Sequence, residues 1–141
     1  MIGGRKLKEE LFDKIKVGLN SIIETTVQGK DSAANYLNGF IDVLSTPSLI
    51  GFLECAAKNA VDLHLPTGYS TVGIKVDVKH LAATPIGMKV KAIAELVEVD
   101  GKRLIFKVEA YDEMEKIMEG THERFIIDVE RFMQRVNNKV K

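Results

Sequence analysis

The sequence predicts an α+β fold in which a five-stranded antiparallel sheet wraps around one long central helix. Three observations predict it. A segment from about Pro47 to about Leu63 is apolar around most of its helical circumference, and such a helix belongs in an interior. From Thr71 onward apolar residues recur with period two, as in strands with one buried face. Asp100-Gly101 separates two of these runs and is a strong signal for a tight hairpin. One helix cannot cover two sheet faces, so the simplest arrangement is a curved sheet packed around it.

The elements follow in order. Residues 1–17 form an N-terminal extension, where Leu7, Leu11 and Ile15 at four-residue spacing predict a short amphipathic helix over Lys6–Lys16. Gly18 interrupts it. Leu19 to Val27 is rich in β-branched residues and reads as the first strand. Gly29 to Asn38 is small and polar, a loop. Thr46 reads as the N-cap of the long helix, with Pro47 at the first helical position, where a missing N–H costs nothing. Next, Val72, Ile74, Val76 and Val78 alternate with Thr71, Gly73, Lys75, Asp77 and Lys79. Met88, Val90, Ala92, Ala94 and Leu96 continue the pattern, and Leu104, Phe106, Val108 and Ala110 form the returning strand. A turn near Asp112 to Glu115 leads into a last strand from about Lys116 to Asp128, and Val129 to Val136 reads as a closing helix.

Composition narrows the function. The 141 residues fit a single domain. Twenty basic and twenty acidic residues cancel without a block of like charge, which argues against a nucleic-acid partner. Glu54 and Lys58 interrupt the longest apolar stretch, so no membrane span is expected. Met1 to Lys8 lacks the apolar core of a signal peptide. Cys55 is the one cysteine, which excludes an internal disulfide and suits a reducing, cytoplasmic setting.

Few residues are placed to do chemistry. Glu54 is the one charged residue between Pro47 and Ala57. A carboxylate inside an apolar helix needs a partner or a raised pKa; a surface or structurally paired Glu is the plainer alternative. His80 shares parity with Val72 to Val78 and so should point toward the helix, either as a hydrogen-bonded core histidine or as the partner of Glu54. Thr46 precedes Glu54 by eight residues, about 12 Å along a helix axis, so it marks the mouth of a site with Glu54 deeper. The free N–H groups of the helix N-terminus can stabilise an oxyanion. Gly73 allows close approach to a ligand or marks a bulge. In Gly120-Thr121-His122-Glu123-Arg124 the pattern fits a solvated face, although Arg124 could bind an anionic group in bidentate fashion. Cys55 reads as core filler. Zinc-ligand spacing, a Walker loop and a Rossmann glycine run are all missing, so neither metal nor cofactor is expected.

Residues Ser45 to Val129 resemble the hot-dog-fold thioesterases of the fluoroacetyl-CoA thioesterase type. The matching pieces are STPSLIGFLECAA, GIKVDVKHLAATPIGMKV and EGTHERFIID. Spacing matches too: Glu54 to His80 is twenty-six residues, and Gly73 precedes His80 by seven. Pro47 departs from the pattern, which has a small residue there. The resemblance implies a hot-dog homodimer with sheets joined edge to edge, a small-molecule acyl-CoA substrate, and a catalytic set of Thr46, Glu54 and His80. It also implies that Gly73 and Arg124 line the acyl pocket, with Phe40 near its entrance. Glu54 would then be nucleophile or general base, with His80 assisting proton transfer to the leaving thiolate. The alternatives are an acyl-CoA binding module without turnover, or a hydratase or dehydratase acting on an acyl thioester.

Overall fold

The computed structural model describes residues 11–36 and 40–140. Strands β1 (Asn20–Thr26), β2 (Tyr69–His80), β3 (Lys89–Asp100), β4 (Arg103–Tyr111) and β5 (Lys116–Asp128) form one antiparallel sheet in the order β1-β3-β4-β5-β2. Helix α1 (Thr46–Asp62) packs on the sheet, and α2 (Val129–Asn137) follows β5. This is the sequence of elements expected above. The helix expected over Lys6–Lys16 lies mostly outside the described residues. Near its end, Ile15 is buried and Phe12 packs edge-on against Tyr69 with ring centroids 5.2 Å apart. The expected loop after β1 carries two short 3-10 turns, Gly29–Asp31 and Ala33–Asn35. Among the described residues no helix is long and apolar enough to cross a membrane.

The core has one helical and one sheet surface. Val90, Ala92, Ala94 and Leu96 of β3, with Leu104, Phe106, Val108 and Ala110 of β4, are each at most 1% exposed. They meet Leu49, Leu53, Ala56, Ala57, Ala60 and Val61 of α1. Burying a Leu or Phe completely contributes about 1.5–3 kcal/mol, and the alanines on both surfaces let helix and sheet approach closely. The helix is not enclosed all round, as its composition had suggested. It lies over β1 and β3 and only skims β2, leaving Gly51 and Cys55 exposed.

The start of α1 is clamped. The Leu44 N–H donates to the Thr84 carbonyl at 2.8 Å and the Ser45 N–H to the Asp31 carbonyl at 2.8 Å. Ser45, not Thr46, is the N-cap: its Oγ accepts from the Ser48 N–H at 3.1 Å. One serine therefore takes the capping task, and the Thr46 hydroxyl is released for another.

Strand β2 departs from simple parity. Its register against β5 shifts between Gly73 and Lys75. A bulge adds one residue to a strand and reverses which side chains face inward beyond it. Thr71 and Gly73 pair with Ile126 and Arg124, whereas Val76, Val78 and His80 pair with His122, Gly120 and Met118. The inward set is thus Thr71, Gly73, Val76, Val78 and His80. Val72, expected inside, instead pairs with Phe125 on the outer side. His80 does point inward as expected. Among the described residues β2 is the end of the sheet and has one edge unpaired, with Ile74 50% and Val76 41% exposed.

Candidate active site

The chemistry-bearing side chains gather in two places. At the N-terminal end of α1, Thr46 Oγ1 lies 2.7 Å from His80 Nδ1. A hydroxyl can give or take a proton, so this contact serves either imidazole tautomer. His80 Nε2 is buried and has no hydrogen-bond partner among the described residues. Burial pushes the His80 pKa below 6.5, partly opposed by a backbone contact with Ala82. A buried, unpaired ring nitrogen is costly to leave unmatched and marks a place where a partner or substrate belongs.

The second group surrounds Gly73. A Cβ built on Gly73 would fall 2.9 Å from Glu54 Oε2, 3.2 Å from His122 Cε1 and 3.5 Å from Arg124 Nη1. The Gly73 backbone is not in the left-handed region, so the absent side chain serves space rather than conformation. Arg124 is only 6% exposed. Its Nε donates to Thr71 Oγ1 at 2.8 Å, and its Nη2 donates to the Thr71 carbonyl at 2.9 Å. Its Nη1 lies 3.2 Å from His122 Nε2 and 3.9 Å from Glu54 Oε2. Burial pulls the Arg124 pKa down and the Glu54 carboxylate opposes that. Glu54 itself is part-exposed, its side chain 41% accessible. It is neither the fully buried acid nor the free surface acid that the sequence allowed: it faces a buried guanidinium across a glycine.

Between the two groups, along α1, runs a cavity of about 590 Å³ whose lining includes Tyr36, Thr46, Ile50 and Glu54. No described hydrogen bond or ion pair joins Glu54 to His80. Gly73, beside Glu54, is seven residues from His80 along β2, roughly 20 Å of strand. Within one protomer, Thr46 and His80 form one half of the expected set and Glu54 with Arg124 and Gly73 the other. Phe40 is 95% exposed and does not line the cavity.

The helix N-terminus offers less than expected. Pro47 has no N–H, the Ser48 N–H is held by Ser45 Oγ, and the Leu49 N–H donates to the Ser45 carbonyl. Among the described hydrogen bonds, only the Thr46 amide of the first four helical residues is left without an acceptor to meet developing negative charge.

Two participants escaped the sequence reading. Thr71 was set on the outer face by parity, and the bulge brings it in. His122, 2% exposed, lies in the segment whose pattern fitted a solvated face. The alternation Met118, Gly120, His122, Arg124, Ile126 holds without a break in β5, so His122 and Arg124 face inward together and the solvated-face interpretation is overturned. That signal was legible in the sequence.

Comparison with known proteins gives a consistent result. Residues 27–130 match the family model described as fluoroacetyl-CoA-specific thioesterase. The fluoroacetyl-CoA thioesterase of Streptantibioticus cattleyicolor is 39% identical over 100 residues, 71% of this chain and 72% of that protein. A variant of the fluoroacetyl-CoA thioesterase solved in complex with acetyl-CoA superposes with a TM-score of 0.85 at 31% identity, covering 89% of this chain and 99% of that one. A hot-dog-like protein from Thermanaerovibrio acidaminovorans, 24% identical, shares the fold with a TM-score of 0.83 over 94% of this chain and 96% of its own.

Proposed function

Because the chain belongs to the fluoroacetyl-CoA-specific thioesterase family, we propose that it hydrolyses a short acyl-CoA thioester to free acid and CoA, as a homodimer whose active site is completed by the second copy. It is a thioester hydrolase by descent. The observation that carries the proposal is the split site: an inward imidazole with a buried, unpartnered Nε2 and a carboxylate held over a glycine, too far apart to meet in one protomer.

The unpaired edge of β2 supplies a way to join them. Antiparallel pairing of β2 with its own copy about a two-fold axis near Val76–Asp77 sets Gly73 of one strand beside His80 of the other, because the two lie equally far from that point. Glu54 then faces the Thr46–His80 pair of the second copy. The exposed Ile74 and Val76 are covered in the same step.

In this arrangement Glu54 attacks the thioester carbon directly, forming an anhydride that a water then cleaves to free acid and regenerated carboxylate, or it takes from an attacking water the proton that His80 passes on to the leaving sulfur. Charge builds on the carbonyl oxygen, for which the Thr46 hydroxyl and amide are the near donors. The carbon–sulfur bond breaks, and CoA leaves as a thiolate that receives its proton through His80. A thiolate leaves readily, so the step asks for no metal or cofactor. Arg124 and Gly73 shape the acyl end, and Phe40, on the segment before α1, serves the entrance. We place the activity in the cytoplasm, where an unpaired Cys55 is at home.

The test is free-thiol release from a panel of short acyl-CoA esters. Glu54→Gln and His80→Ala should each lose about 10²-fold or more in kcat. Subunits of the two inactive variants, mixed under exchange, should regain about a quarter of wild-type activity, because half the dimers then carry one intact composite site. No recovery sinks the shared site. Tight acyl-CoA binding by the wild type without thiol release would make the protein a binding module. Water addition to, or loss from, the acyl chain would make it a hydratase or dehydratase.

A further inference from the structure

We infer that His122 is a positioning residue: fixed as the neutral imidazole with its proton on Nδ1, it supplies the acceptor that aims the Arg124 guanidinium at Glu54 and Gly73. Its role in turnover rests on the thioesterase proposal above; its protonation state does not.

The partners decide the tautomer. His122 Nδ1 lies 2.8 Å from the Lys75 carbonyl oxygen, which can only accept, so Nδ1 carries a hydrogen. His122 Nε2 lies 3.2 Å from Arg124 Nη1, which can only donate, so Nε2 is bare. The bulge matters here, because the Lys75 carbonyl sits where the β2 register shifts. On the other side the ring stacks on Phe106 of β4, centroids 6.5 Å apart at 30°, which fixes the plane of the imidazole.

Every charged neighbour bears on this balance. Burial is the largest influence and draws the pKa below 6.5, with Arg124 acting in the same direction; the bond to the Lys75 carbonyl, then Glu54 from α1 and Glu123 from β5, favour the imidazolium. Lys75 of β2 directs its ammonium toward Glu123 instead, at 3.9 Å. Asp62 and Cys55 of α1 act on Arg124 rather than on the ring. A proton on Nε2 would remove the acceptor and set two cations 3.2 Å apart. Arg124 would then keep its two bonds to Thr71 and lose the one made by Nη1, the nitrogen 3.9 Å from Glu54.

Two measurements test this. Nitrogen-15 NMR of the wild-type imidazoles at pH 7 should show His122 protonated on Nδ1 and bare on Nε2. A proton on Nε2, or an imidazolium, overturns the inference whatever the activity. Among variants, His122→Asn keeps a donor near the Lys75 carbonyl but loses the acceptor for Arg124; His122→Gln keeps an acceptor in the place of Nε2. His122→Asn should lower kcat/KM for a short acyl-CoA by roughly tenfold or more, the usual consequence of losing a hydrogen bond to a charged group, and His122→Gln should recover most of it. His122→Gln should also lose the part of the acid limb of the kcat/KM profile that His122 contributes. Equal losses in the two variants, or an unchanged acid limb in His122→Gln, refute the positioning role.

Discussion

Replacing Gly73 by Ala separates a residue needed for folding from one needed for the site. The φ angle at Gly73 lies outside the left-handed region, so alanine meets no backbone penalty. Alanine also restricts the unfolded chain, a gain of about 0.4–1 kcal/mol. Against this stands the new methyl, 2.9 Å from Glu54 Oε2 and 3.2 Å from His122 Cε1. The carboxylate is the end of a flexible, part-exposed side chain and can retreat by roughly half an ångström to ordinary contact. The ring is held at both nitrogens and cannot move as cheaply. The two contributions nearly cancel, so stability should change by less than about 1 kcal/mol, or roughly 2–4 °C in Tm. Catalysis has no such tolerance: a displacement of about 1 Å at the reacting group costs on the order of 10²-fold, so the half-ångström retreat should lower kcat/KM roughly tenfold. Thermal unfolding followed by circular dichroism, beside thiol release from a short acyl-CoA, reads both quantities. A folded Gly73→Ala enzyme with wild-type kcat/KM would refute the placement of Glu54 over this glycine as the centre of the chemistry.

Four other outcomes follow from the same geometry. A Cβ at Gly120 would fall 2.1 Å from the Asp77 carbonyl oxygen, which is backbone and cannot yield, so Gly120→Ala should cost about 3 kcal/mol or more in chemical denaturation. Thr46→Val should lower kcat roughly tenfold through loss of the bond to His80 while leaving Tm nearly unchanged, whereas Ser45→Ala, which removes the true cap, should cost about 1 kcal/mol of stability. His80 and His122 are both held below the ordinary histidine pKa by burial; the unfolded chain therefore binds their protons first, and denaturation midpoints should fall as the pH drops below about 6.5. In the proposed dimer, Val76→Lys on the exposed edge of β2 should shift sedimentation from dimer to monomer and abolish thiol release together.

Much of the architecture was legible because it rests on periodicity. The buried positions of β3 and β4 were named from alternation alone, and Asp100-Gly101 marked their hairpin. Glu54 stood out as a charge in an apolar helix and His80 by its parity, whereas Thr46 was read from its capping position, Gly73 as a close approach or a bulge, and Arg124 within a segment whose pattern favoured a solvated face. The register shift beside Gly73 bears out the bulge; local patterns could not show its effect on the faces, because an added residue leaves the apolar spelling of β2 intact while reversing its faces up to Gly73. Nor could they tell that Ser45 rather than Thr46 caps α1, since both are good caps and the choice is made by the loops that clamp Ser45. His122 was missed for a different reason: its value lies in its two hydrogen-bond partners, which sit on another strand and two residues away. The distance between Glu54 and His80 was invisible because it depends on how α1 crosses the sheet.

The outer side chains of β2 carry a second message. Lys75, Asp77 and Lys79 project from the strand that also exposes Ile74 and Val76. A bare, greasy ribbon border invites endless stacking into fibrils, and alternating charges discourage every neighbour except one that fits. Once two copies have paired, neither has that border left to offer. If assembly and catalysis draw on the same strand, specific activity will fall on dilution, and newly made chains will stay idle until enough have accumulated to find one another.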